Sequence, residues 1–100
     1  MTTKPEIGEK YRTGLFQRRN FVCVSYPGRA DEYAFARQEG GAVHVSFAKK
    51  KNVEIGLGLI MNWGGDWDNA VYRRGDKEHH ELRLSLMSQI RGDIFPLRVA

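Results

Sequence analysis

The sequence predicts an α+β protein, mainly antiparallel β, arranged as a small twisted sheet or partly open barrel of about five strands with one C-terminal helix. Three observations point there. Residues 42–47 alternate strictly, with Val43, Val45 and Phe47 on one side and His44 and Ser46 on the other. Glycine and proline clusters punctuate short apolar runs, and residues 77–91 close the chain with a pattern that suits a helix. If 77–91 were instead a last strand, the alternative would be an all-β sandwich.

Residues 11–17 and 21–26 are aromatic and β-branched runs around Arg18-Arg19-Asn20, which reads as a hairpin with its turn at that polar group. Pro27-Gly28-Arg29-Ala30-Asp31 is a turn. Residues 32–38 then alternate Tyr33 and Phe35 with Ala34 and Ala36 as a strand, with a short helix over 31–39 as the competing reading. Glu39-Gly40-Gly41 turns the chain into strand 42–47, and Lys49-Lys50-Lys51-Asn52 forms a polar turn.

Val53, Ile55, Leu57, Leu59 and Met61 give the longest alternation, read as one strand whose other side carries Glu54, Gly56, Gly58 and Ile60. Glycines two apart mark a bend or a close approach on that side. Residues 62–69 form a loop holding Trp63 and Trp67, and 70–74 make a fifth strand. In 77–91 the leucines at 82, 84 and 86 fit a strand, whereas Leu82, Leu86 and Ile90 share a helical face. Asp76 as a cap, Gly92 at the far end and good helix formers between them favour the helix.

The 100 residues fit a single domain, 1–100, since halves would fall below the roughly 50 residues a separate core needs. Cys23 is the single cysteine, so no internal disulfide can form, and a reducing, cytoplasmic setting is expected. No run approaches the roughly 18 apolar residues of a membrane span, and the amino terminus lacks the apolar stretch of a signal peptide. No membrane contact is expected.

The net charge is +4, and residues 1–51 carry ten Lys and Arg against five Asp and Glu, while 52–100 carry six against seven. Basic charge concentrated in the first half points to an anionic partner. The expected nucleic-acid surface comprises Arg18, Arg19, Arg29, Arg37, Lys49, Lys50 and Lys51, presented to phosphates from neighbouring turns, with exposed aromatic rings stacking on unpaired bases.

Motifs for chemistry are missing. His79 and His80 lie between Glu78 and Glu81, but adjacent helical histidines diverge by about 100°, and the residue one turn after His80 is Leu84, not histidine. Asp66 and Asp68 resemble the start of a calcium loop, yet Val71 stands where the glycine must be and Lys77 where the bidentate glutamate must be. Cys23, between Val22 and Val24, reads as a small buried hydrophobe. The expectation is a protein with no enzymatic activity, catalytic residues, metal or cofactor.

The functional expectation is therefore a small binding module that contacts nucleic-acid backbone. The rival is a protein-interaction module, an inhibitor or a homodimer subunit, anchored by Trp63 and Trp67 with Asp66 and Asp68, because tryptophans on a glycine-containing loop must pack on something and those carboxylates would repel phosphate.

Overall fold

A computed structural model describes residues 4–13, 19–56, 59–62 and 68–91. The strands are β1 (Lys10–Thr13), β2 (Arg19–Val24), β3 (Glu32–Glu39), β4 (Ala42–Lys49), β5 (Glu54–Gly56), β6 (Leu59–Asn62) and β7 (Asp68–Arg73), and one helix follows, α1 (His80–Arg91). They lie in the order β5-β6-β1-β2-β3-β4-β7. Strands β1, β2, β3, β4 and β7 form a five-stranded antiparallel sheet, and the β5–β6 hairpin joins it through one parallel pair, Arg12 with Leu59. The sheet is open, not a closed barrel, and the helix makes the fold α+β, mainly β, as the sequence predicts.

Short connections set the meander. Glu39 pairs with Ala42, so Gly40 and Gly41 alone reverse the chain between β3 and β4. Gly40 has φ +62°, the left-handed value that the first loop position of a type II′ turn requires and that a side chain resists. Residues 32–39 are strand throughout, which removes the competing helix: Ala34 and Ala36 lie fully under α1 while Phe35 is buried on the opposite face.

Each face of the sheet has its own core, because the period of two sends neighbours apart. On one face Val22, Val24, Ala34, Ala36, Val43, Val45 and Phe47 receive Leu86 and Met87 of α1, with Leu82 and Ile90 beside them. Leu86 is completely buried there, which contributes about 2 kcal/mol. On the other face Tyr11, Phe21, Cys23, Phe35 and Ala48 are covered by Val53, Ile55 and Ile60 from the β5–β6 hairpin.

Four sequence expectations change. The first turn is not at Arg18-Arg19-Asn20, because Arg19 and Asn20 already pair with Thr13 and Arg12 as the start of β2. The long alternation is not one strand: Ile55 pairs with Ile60, so the chain doubles back and brings Val53, Ile55 and Ile60 onto one face. The last strand begins at Asp68 and ends at Arg73, where 70–74 was expected. Asp76 accepts a hydrogen bond from the Glu78 N–H at 3.2 Å, organising the turn ahead of the helix, whose first bond runs from Arg83 N–H to the His79 carbonyl at 2.9 Å. Asp76 is therefore not its cap.

Arg18, Trp63, Asp66 and Trp67 lie outside the described residues. Among the described residues no helix is long and apolar enough to cross a membrane.

Candidate polyanion-binding end of the sheet

The two ends of the sheet differ in chemistry. One holds the turn at 27–31 and the lysine run; the other holds the Gly40–Gly41 turn and the start of β2. They are separated by the length of β3, about 25 Å for eight residues. Arg19 begins β2 beside Thr13 and Arg37 stands near the end of β3, so both belong to the glycine end, whereas Arg29 and Lys49 to Lys51 belong to the lysine end. Among the described residues, Arg29 and Lys49 to Lys51 are therefore set at one end of the sheet and Arg37 at the other, with Arg19 starting its strand at the Arg37 end.

At the lysine end β4 runs out at Lys49 and the next three residues, Lys50–Asn52, wind into a single 3-10 turn. The Lys50 N–H donates to the Asp31 carbonyl at 3.0 Å, fastening this turn to the one at 27–31. Lys49 Nζ lies 3.5 Å from Asp31 Oδ2, and Lys51 is exposed. Lys4, far away in sequence, donates from Nζ to the Lys50 carbonyl at 3.5 Å. The Lys50 ammonium sits 5.3 Å from the centre of the Tyr33 ring, within cation–π range.

Beside Lys50 lies a cleft of about 470 Å³ whose lining includes Glu6, Ile7, Cys23, Glu32, Tyr33 and Lys50. Ile7 is two-thirds exposed, so the rim is partly apolar. Burial pushes the Cys23 thiol up to about 11, which keeps it protonated and poorly nucleophilic near neutrality. A lined depression of about 330 Å³ also runs along Asp31, Lys49, Lys50 and Lys51.

Arg29 is placed at this end but is engaged by the protein itself. Nη1 contacts Glu32 Oε1 at 2.9 Å, Nη2 contacts Asp68 Oδ2 at 3.0 Å, and the guanidinium lies 3.8 Å over the Phe47 ring. Hydrogen bonding to Glu32, then to Asp68, raises its already high pKa. Asp68, expected at a protein contact with the tryptophans, thus closes a pair between β7 and the turn before β3. Behind it Tyr26 meets Phe47 edge-on at 4.7 Å and shares a hydroxyl–hydroxyl hydrogen bond with Tyr72. Burial, then that bond, pushes the Tyr72 phenol up to about 12.

Arg37, at the opposite end, contacts Glu39 at 2.9 Å, and its guanidinium carbon is 5.7 Å from the Phe21 ring centre. The depression there, about 480 Å³, is lined by Glu39, His44, Arg73 and Arg74 around the glycine turn. His44 Nε2 lies 3.9 Å from Glu39 Oε2, so this end mixes both signs of charge. His79 packs edge-on against Tyr72 at 5.2 Å and His80 is exposed at the start of α1. Among the described residues no group of three or more His, Cys, Asp and Glu is arranged to hold a metal ion.

Sequence reasoning missed Lys4 and the particular ring, Tyr33, that stands beside the lysines. Both depend on tertiary approach, since Lys4 is 46 residues from Lys50. Comparison with protein-family models, with curated proteins and with solved structures finds no match.

Proposed function

We propose that this protein is a nonenzymatic binding module that holds a polyanion, a nucleic-acid backbone, at the lysine end of its sheet. The observation that carries this reading is that Lys4 reaches the Lys50 carbonyl, the Lys50 ammonium stands beside the Tyr33 ring and exposed Lys51 follows it on the same turn, while Asp31, Glu32 and Asp68 are matched to Lys49 and Arg29. Lysines on separate segments can contact successive phosphates, and a neighbouring ring offers a stacking surface for an unpaired base. The buried single thiol suits the reducing environment of the cytoplasm, where we place the protein.

The test is fluorescence anisotropy of labelled single-stranded and duplex DNA and RNA, titrated with protein at two salt concentrations. About four phosphate contacts to a single strand give roughly a fiftyfold loss of affinity for a fourfold rise in salt. Replacing Lys49, Lys50 and Lys51 together by Glu removes the binding while circular dichroism stays native. Binding that is unaffected by the triple change, or no binding at low salt, sinks the reading.

A further inference from the structure

Among the described residues the sheet ends in two edge strands, β5 and β7, and they are built differently. β5 is three residues long, carries exposed Glu54 and has a register shift between Glu54 and Ile55, all features that discourage further pairing. β7 is six residues in unbroken register with β4, from Ala42 with Arg73 to Phe47 with Asp68. α1 packs mainly on β2, β3 and β4. Val71, on β7, is one of the few exposed large apolar side chains at 39%.

The outward backbone groups of β7 follow from the ladder. The two-residue turn makes Glu39 and Ala42 a hydrogen-bonded pair, so residues 42, 44 and 46 of β4 turn their N–H and C=O to β3, and 43, 45 and 47 turn theirs to β7. Counting across from the Cys23 N–H bond to the Glu9 carbonyl gives the same phase. Asp68, Ala70 and Tyr72 therefore bond to β4, and Asn69, Val71 and Arg73 present their backbone groups at the outer edge.

We propose that two copies of this chain associate through β7, antiparallel, with Val71 opposite the partner's Val71, joining two sheets into one. A twofold axis normal to the sheet requires opposed residues to share a face, which leaves few registers. Centring on Val71 engages all three outward residues: Val71 with the partner's Val71, and Asn69 with the partner's Arg73 in both directions. In that register no like charges are opposed within β7. Centring on Arg73 sets arginine against arginine, and centring on Asn69, Ala70 or Tyr72 sets one or two of the three outward residues opposite positions beyond the ends of β7. The Val71 register is thus the one that keeps all three outward residues paired inside β7 with no like charges opposed.

Sedimentation across a concentration series reads the association directly. The unaltered chain is expected to sediment as a dimer. Val71→Pro is expected to give a monomer with native circular dichroism, because an edge strand tolerates proline where the lost N–H points outward. Val71→Cys supplies a second readout: a hydrogen-bonded antiparallel pair has Cα atoms about 5.5 Å apart, within disulfide reach. Mild oxidation should link Val71→Cys chains and not Leu84→Cys chains, whose substituted site is 46% exposed on α1. A monomer throughout the series, a dimer that survives Val71→Pro, or equal linking of the two cysteine variants overturns the proposal.

Discussion

The side-chain amide of Gln89 pairs with both backbone groups of Ser25, 64 residues away: the Ser25 N–H donates to Gln89 Oε1 at 2.6 Å and Gln89 Nε2 donates to the Ser25 carbonyl at 3.2 Å. Ser25 is the residue just past β2, so the amide acts as a one-residue continuation of the sheet and clips the last turns of α1 to its end. Each such bond contributes about 0.5–1.5 kcal/mol, and this exposed position belongs near the lower value. Gln89→Ala should therefore lower unfolding free energy by roughly 1 kcal/mol in urea titration, and Ser88→Ala, exposed on the same turn, should change it little. Gln89→Glu keeps an acceptor for the Ser25 N–H but sets a carboxylate against the carbonyl. It should be no more stable than the alanine variant.

Which parts of this architecture are legible in the sequence follows from how local their causes are. The alternation of Val43, Val45 and Phe47, the Gly40–Gly41 turn and the 82, 86, 90 spacing of α1 are set by neighbours a few positions apart, and all appear in the structure. The stretch from Val53 to Met61 misleads because a hairpin and a long strand share the same alternation on either side of a reversal. Ile60, alone among the apolar residues on its expected side, is the one local hint, and it pairs with Ile55 in the structure. Charge is misread for a related reason. Arg29 counts as a free cation until Asp68, 39 residues later, is brought to it by β7, whose place beside β4 depends on a long connection that no local pattern specifies.

Cys23 yields a pH prediction. Its thiol is buried against the β5–β6 hairpin and desolvation raises it from 9.0 to about 11, with Lys50 opposing slightly. A group whose folded pKa is raised stays protonated in the native state while the unfolded chain has already ionised, so stability is full below about pH 9 and falls as pH rises toward 11. Urea midpoints measured from pH 8 to 11 should drop more for the unaltered chain than for Cys23→Ala. Tyr72, held near 12, adds its own loss at the upper end in both. Equal pH dependence in the two chains would show that the thiol is not the group responsible.

Arg83 gives the sharpest energetic contrast. It lies on the covered side of α1 with only 8% of its surface exposed, and its Nη2 donates to the Gly41 carbonyl at 3.2 Å. Its Nε is buried and finds no acceptor among the described residues. An under-satisfied buried cation costs more than one hydrogen bond returns, and an apolar side chain of similar length in the same place is often neutral or stabilising. Gly41 is exposed, so its carbonyl can be solvated when the guanidinium is gone. Arg83→Met should therefore leave the melting temperature unchanged or raise it, whereas Arg83→Ala should lower it by removing the buried aliphatic stem. A methionine variant as unstable as the alanine variant would mean that the Gly41 bond outweighs the buried charge.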